Sequence, residues 1–258
     1  MSMKNLFDIN GKVAVVTGGS RGIGAMIARG LVENGVKTYI TARKEPELRA
    51  TEQELAALGQ CIAITSDLST VAGVTAFAAE VRAKEERVHI LVNNAGATWG
   101  ADIDEFPESG WDKTMDLNVK SLFFLTQQLL PALRSAGTQE DPARVINIGS
   151  INGITHPRMN NYAYSASKAA VHQLTRHLGA DLAREGVNVN GIAPGFFPSK
   201  MTAHLLAHEV ELAATFPRGR LGDAEDAAGT AIYLCSRASA WLTGHTIVLD
   251  GGAVAFAG

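Results

Sequence analysis

A tyrosine and a lysine stand four residues apart in Tyr164-Ser165-Ala166-Ser167-Lys168, and Ser150 lies fourteen positions upstream, closing the run Val145-Ile146-Asn147-Ile148-Gly149-Ser150. Residues i and i+4 share one face of a helix. A phenol and an ammonium held there reach into the same space. The cation is expected to favour the phenolate and to draw the tyrosine pKa down, so that it exchanges a proton near neutral pH. Read with a glycine-rich turn near the start of the chain, these residue types point to carbonyl/alcohol redox chemistry. Tyr162 competes as proton donor, but four residues on from it is Ala166, so it lacks the activating cation.

The glycine turn is Gly18-Gly19-Ser20-Arg21-Gly22-Ile23-Gly24, directly after the apolar run Val13–Thr17. Glycines permit close approach of backbone to a pyrophosphate, and a following helix offers free N–H groups and a partial positive charge. The spacing is Gly-x-x-x-Gly-x-Gly rather than GxGxxG. At the end of the second strand, where a carboxylate would hold the ribose hydroxyls of NAD, the chain has Thr41-Ala42-Arg43-Lys44. Arg21 and Arg43 can bind a phosphate through their guanidinium forks, which favours NADP(H) over NAD(H).

Seven strand-like runs alternate with amphipathic stretches: Val13–Thr17, Lys37–Thr41, Cys61–Thr65, Val88–Val92, Arg144–Ile148, Val187–Ile192 and Thr246–Leu249. Helical patterns fall near Gly22–Asn34, Pro46–Leu58, Val71–Lys84, Glu108–Arg134, Tyr164–Glu185 and Ala224–Ser236. This alternation predicts an α/β fold, a single Rossmann-like doubly wound parallel sheet with helices on both faces. The polar stretch Ser135–Ala143 is expected as a surface loop. From Pro194 to Arg220 the alternation breaks, with three prolines, Phe196-Phe197 and a short helical piece near Ala203–Leu212. An insertion after a strand's carboxyl end is where ligands bind in this architecture.

The bulk numbers set bounds. The 258 residues allow one large domain or two small ones; 46% are apolar and 19% charged, as in a globular protein with a substantial core. A net charge of −3 gives no electrostatic case for nucleic acid or an anionic membrane as partner. Cys61 and Cys235 are isolated, which suits a reducing compartment, and the histidines show no metal spacing and are read as surface or loop residues. No apolar stretch is long enough to span a bilayer. The chain reads as soluble and cytoplasmic, without a metal.

Together the motifs Thr17–Gly24, Asn93-Asn94-Ala95-Gly96, Leu117-Asn118-Val119, Ser150, Tyr164–Lys168 and Pro194-Gly195 resemble the short-chain dehydrogenase/reductase family over nearly the whole chain. The resemblance implies that residues 1–258 form one dinucleotide-binding oxidoreductase domain with a substrate loop at about 194–220. It implies Tyr164 as general acid in reduction, Lys168 as its activator and ribose ligand, and Ser150 as hydrogen-bond donor to the substrate carbonyl. Asn118 would hold a water linking Lys168 to solvent. Cofactor contacts are implied from Gly18, Ser20, Arg21, Gly22, Ile23 and Gly24, from Arg43, Asp67 and Leu68, from Asn94, Ala95 and Gly96, and from Pro194, Gly195, Phe197 and Ser199. Ser199 stands where the family often has threonine, and His89 where it often has aspartate.

The expected substrate pocket is Thr98, Trp99, Ile151, Ile154, Met159, Phe196, Phe197 and Met201, mostly apolar, which favours an apolar or acyl-chain substrate over a free sugar. Within the family, Gly96–Gly100, Ala143–Ser150 and Phe197–Thr202 are most similar to bacterial 3-oxoacyl reductases, those of rhamnolipid pathways in particular. The leading expectation is an NADPH-dependent reductase of a 3-oxoacyl thioester or similar ketone. A sugar, sugar-acid or broad-specificity alcohol dehydrogenase is the second, and a non-catalytic NADP-binding sensor or scaffold the third. The resemblance also implies a homo-oligomer, commonly a tetramer, with a dimer as the alternative.

Overall fold

Val13-Ala14-Val15-Val16-Thr17 shows no polar–apolar alternation, and it is buried almost throughout because it lies inside a sheet covered on both faces. The structure is a computed structural model and describes residues 3–156, 159–198 and 209–256. Its strands are β1 (Val13–Thr17), β2 (Lys37–Ala42), β3 (Cys61–Thr65), β4 (Ile90–Asn93), β5 (Ala143–Ile148), β6 (Val187–Pro194) and β7 (Thr246–Leu249). They form one seven-stranded sheet in the order β3-β2-β1-β4-β5-β6-β7, and every neighbouring pair is parallel. β4 starts at Ile90 rather than Val88, because the Val88 N–H donates to the Ala132 carbonyl of a covering helix. β6 runs past Ile192 because its pairing continues to Pro194 opposite Leu249.

The helices are α1 (Gly22–Glu33), α2 (Glu45–Ala56), α3 (Val71–Lys84), α4 (Glu108–Met115), α5 (Ser121–Ala136), α6 (Tyr162–Leu182), α7 (Glu209–Ala214), α8 (Ala224–Cys235) and α9 (Ala253–Phe256). The pattern expected over Glu108–Arg134 resolves into α4 and α5 joined by a π turn, Asp116–Lys120. The expected loop shortens to 137–142, since α5 runs to Ala136 and β5 starts at Ala143. The short helix expected near Ala203–Leu212 lies partly outside the described residues; α7 is its described part.

Two apolar layers cover the sheet. On one face Ile27 and Leu31 of α1 pack with Ala231 and Leu234 of α8 against Val16, Ile40 and Ile146. On the other, Phe77 and Val81 of α3 and Leu125, Leu129 and Leu133 of α5 meet Val15, Leu91 and Val145. Each fully buried large side chain contributes about 1.5–3 kcal/mol. A polar ladder crosses this second interior: Asn93 Nδ2 donates to Asn147 Oδ1 (2.9 Å) and Thr126 Oγ1 (3.1 Å), and Asn147 Nδ2 donates to Thr175 Oγ1 (3.0 Å).

β1 and β4 are neighbours, while the chain leaves β1 for β2 and β3 on one side and continues from β4 to β5, β6 and β7 on the other. The connections at the carboxyl ends of β1 and β4 therefore diverge and leave a crevice, the usual ligand position in such sheets. Thr17 stitches its walls. Its Oγ1 donates to Val92 O (3.3 Å) and accepts from the N–H groups of Asn94 and Ala95 (both 2.9 Å).

At the far end of β5, Arg144 is 1% exposed, and burial lowers its pKa despite the partly compensating Asp141. Its guanidinium donates to Leu234 O (3.1 Å), Ser236 O (2.9 Å) and Pro142 O, which ties β5 to the end of α8. Removing it takes the guanidinium from all three carbonyls, of which Leu234 O and Ser236 O keep only bonds from Ser239, leaves Asp141 without this cation, and opens a cavity in the interior. Arg144→Ala is expected to destabilise the protein by about 3–5 kcal/mol, read as a lower midpoint in thermal or urea unfolding.

Candidate active site

A cavity of about 490 Å³ lies over the carboxyl ends of the central strands and reaches from the glycine turn to the N-terminus of α6. At one end Gly18 adopts a left-handed φ of 64°. A Cβ on Gly18 would fall 2.8 Å from Asn94 Nδ2, and that amide donates to Thr17 O (2.8 Å) and Gly18 O (3.2 Å). Asn94 thus fixes the turn from behind while also lining the cavity. Arg21 precedes α1 in extended conformation, no side chain caps the helix, and its first turn holds no acid. These are conditions for an anion at the helix N-terminus. Ser20, Arg21, Gly22 and Ile23 line the cavity; Gly24 lies just behind, where a Cβ would strike the Gly18 carbonyl at 2.4 Å.

Arg43 and Arg21 both reach this end of the cavity. Arg21 is not free there: Nη1 meets Glu47 Oε2 at 2.6 Å, and Lys44 Nζ lies 3.3 Å from the same carboxylate's Oε1. Glu47 was missed in the sequence because it sits on α2, far along the chain from the turn. Ser66 and Leu68 line the wall between them, whereas Asp67 does not; its Oδ1 accepts from Ser69 N (3.0 Å). Asp67 is exposed beside this wall; burial raises its carboxyl, but its bonds with Ser69 and the charge of Arg43 hold it below its ordinary range.

At the other end are Ser150, Tyr164 and Lys168, with Ala95, Gly96, Pro194, Gly195 and Phe197 between the two ends. α6 and β5 bring the three together. Lys168 is 5% exposed and its Nζ donates to Ile148 O at 2.7 Å, while the ammonium stands 5.5 Å from the Tyr164 ring centroid. The Ser150 side chain stands near enough to the Tyr164 phenol to act on its ionisation. The expected depression of the tyrosine pKa is not found. Burial pushes the phenol above its ordinary range, and only the Ser150 contact acts the other way. Burial instead pulls the Lys168 ammonium down to about 8. Both charged forms lose hydration here, and the ammonium points its proton at a backbone carbonyl.

Asn118 lies in the π turn and does not line the cavity, though its neighbour Leu117 does. Its amide is fully engaged as donor: Nδ2 gives to Ala97 O and Ser167 Oγ (both 2.9 Å), and Oδ1 accepts from Ala97 N (2.8 Å). It ties the segment after β4 to α6.

Of the expected pocket residues, Thr98, Ile151, Met159 and Phe196 line the cavity. Trp99 does not; its ring packs onto the Gly110 backbone with the Lys113 ammonium 5.0 Å from its centroid. Ile154 is 46% exposed outside it. Ser199 and Met201 lie outside the described residues. The substrate end is more polar than expected, because Asn152, Asn160 and Asn161 also line it. Asn160 and Asn161 follow the expected Met159 in a turn-forming run, and such asparagines read as exposed loop in a sequence.

His172 also departs from its expected place at the surface. It is 6% exposed, one turn beyond Lys168 on α6, and its Nε2 accepts from Ser150 N at 3.4 Å. Gly149 makes room for it, since a Cβ there would lie 2.2 Å from Nε2. Burial, with Lys168 and Arg176 nearby, lowers its pKa from 6.5 to about 4. The other departure noted in the sequence, His89, is a structural acceptor: its Nδ1 receives the Val13 N–H at 3.1 Å.

A neutral His172 gives a pH prediction. Between pH 6.5 and about 4 the unfolded chain binds a proton that the folded imidazole refuses, so unfolding becomes easier as pH falls through this window. Melting curves at pH 7 and 4.5 should show a smaller drop for His172→Gln, which keeps an acceptor but does not titrate, than for the unaltered protein.

Residues 12–210 match the family model described as short chain dehydrogenase. The chain is 49% identical to the rhamnolipids biosynthesis 3-oxoacyl-[acyl-carrier-protein] reductase of Pseudomonas aeruginosa, covering 97% of this chain and 99% of that protein. It is 37% identical to the 2-dehydro-3-deoxy-D-gluconate 5-dehydrogenase of Dickeya dadantii, with 96% and 97% covered. A solved Pseudomonas aeruginosa structure, an RhlG/NADP active-site complex, superposes with a TM-score of 0.93 at 48% identity, covering 97% of this chain and 99% of that one. With the crevice, the glycine turn and the Ser150–Tyr164–Lys168 set in place, the chain belongs to the short-chain dehydrogenase/reductase family.

Proposed function

We propose that the protein is an NADPH-dependent reductase that converts the ketone of a 3-oxoacyl thioester to the alcohol. The observation that carries this reading is one continuous cavity with a glycine turn and two arginines at one end and Ser150, Tyr164 and Lys168 at the other. The similarity to a 3-oxoacyl-[acyl-carrier-protein] reductase supports the substrate class.

The dinucleotide fits the residues present. The uncapped start of α1 and the left-handed Gly18 suit a pyrophosphate, and Arg43 with Arg21 suits a 2′-phosphate. NADPH supplies hydride when bound. The chain supplies position, polarisation and a proton. Ser150 offers a hydrogen bond to the ketone oxygen as negative charge grows there. Tyr164, kept protonated by burial, holds the proton that this oxygen takes. Lys168, with a pKa near 8, stands ready to stabilise the phenolate left behind. Asn118 braces α6 against the wall of the crevice.

A hydroxylated sugar acid is the second reading. The three asparagines at the substrate end and the similarity to a 2-dehydro-3-deoxy-D-gluconate dehydrogenase favour it. A non-catalytic NADP sensor would have no use for an intact Tyr–Lys pair. Within the same reading, residues 1–258 are one domain, with the substrate loop at about 194–220. The protein is also read as a homo-oligomer, a tetramer or a dimer, and as cytoplasmic. An edge strand β7 that is partly exposed, and Trp241 at 101% exposure, support further association. Two buried, unpaired cysteines support a reducing compartment, and among the described residues no helix is long and apolar enough to cross a membrane.

NADPH consumption with acetoacetyl-CoA and longer 3-oxoacyl thioesters tests the reading, and activity on polyols or sugar acids alone overturns it. Tyr164→Phe is expected to lower turnover by about 10²–10⁴-fold while NADPH still binds. Arg43→Ala is expected to weaken NADPH binding by about ten- to a hundredfold while NADH binding changes little, measured by fluorescence titration.

A further inference from the structure

Among the described residues Glu47 is the only carboxylate that lines the main cavity, and it stands at the end where Arg21, Arg43 and Lys44 also form the wall. It spans two of these cations: Oε2 meets Arg21 Nη1 at 2.6 Å and Oε1 meets Lys44 Nζ at 3.3 Å. Its place is fixed from behind. Thr51, one turn further along α2, has its Oγ1 within hydrogen-bonding distance of both Glu47 O (3.0 Å) and Ser20 O (2.9 Å), which ties α2 to the glycine turn. An acid in the first turn of a helix is common, since it meets the positive end of the helix dipole. Glu45 meets that need as well, and it faces Arg49 rather than the cavity. The dipole alone therefore does not account for a carboxylate set among the cations of a binding site.

The charge of the ligand decides what this carboxylate does. A 2′-phosphate carries about two negative charges at neutral pH. Arg21, Arg43 and Lys44 attract it, although Asp67 already lies within reach of the Arg43 charge. To reach Arg21 the phosphate has either to displace Glu47 or to lie beside it, and like charge opposes both. NADH carries a bare hydroxyl at the same place and meets no such opposition. We infer that Glu47 competes with the 2′-phosphate for Arg21 and Lys44, and so sets NADPH affinity below what the three cations alone would give while leaving NADH binding untouched. This rests on the reading of Arg21 and Arg43 as phosphate ligands, and it makes a residue of α2 the one that tunes cofactor preference.

The test titrates the full-length protein with NADPH and with NADH, read by fluorescence. Glu47→Gln keeps the shape and still accepts from Arg21 but carries no charge. It is expected to bind NADPH about three- to tenfold more tightly, with NADH changed by less than about twofold, and about 0.5 M salt is expected to remove most of the gain. Glu54→Gln is the control: it takes a charge from the same helix at a residue that faces Arg29 outside the cavity, and it is expected to change neither affinity. Unchanged or weaker NADPH binding in Glu47→Gln overturns the inference and makes Glu47 a brace for Arg21 instead. An equal gain with NADH, an equal gain in Glu54→Gln, or a gain that salt leaves intact places the effect elsewhere than at the 2′-phosphate and overturns it as well. An unaltered protein that binds NADH as tightly as NADPH overturns the phosphate reading itself.

Discussion

The grip of α6 on the carboxyl end of β5 is the interaction from which the site follows. Three side chains of one helix take hold of one short stretch of strand and turn. Lys168 donates to Ile148 O, His172 accepts from Ser150 N, and Thr175 receives the Asn147 amide. Their positions at i, i+4 and i+7 form a single stripe. The stripe that brings the helix to the sheet is therefore the one that presents Lys168 beside Ser150, with Tyr164 one turn earlier. Packing and chemistry share the same register, so the helix cannot slide by a turn without dismantling both.

The same economy appears at the switch point. Parallel strands leave their carboxyl ends open where connections diverge, and polar groups there need partners. Thr17 and Asn94 close the backbone of the crevice floor with hydrogen bonds between β1 and the segment after β4. That leaves the start of α1 uncapped and facing the cavity. At the arginine end of the cavity the cationic character is partly neutralised within the chain itself: Arg21 pairs with Glu47, and Asp67 lies within reach of the Arg43 charge.

The fold was legible because it is written in local signals. Nearly continuous apolar runs marked strands covered on both faces, and all seven expected strands are found, within about two residues of their expected ends. The helix carrying Tyr164 and Lys168 was equally legible from spacing. The electrostatics were not. A four-residue separation says that two groups are neighbours, but not that both are buried or that the ammonium hydrogen-bonds a carbonyl. The tyrosine shift therefore came out opposite in sign. His172 and Asn161 were missed for a related reason: a histidine on a helix and an asparagine in a loop carry no sign of burial until the strand end and Gly149 stand beside them. Trp99 erred the other way, an aromatic near the site that packs against its own scaffold.

The amide ladder under the sheet has a consequence for how this sequence can vary. Asn93 and Asn147 are register partners on adjacent strands, and each reaches a threonine on a different helix. Exchanging Asn93 for an apolar residue strands Asn147 Oδ1, and exchanging Thr175 strands Asn147 Nδ2, whereas a slip of one residue would set an amide against valine or isoleucine. The two asparagines are therefore coupled through Asn147 Oδ1, and a core rebuilt without polar groups has to replace both amides in one move.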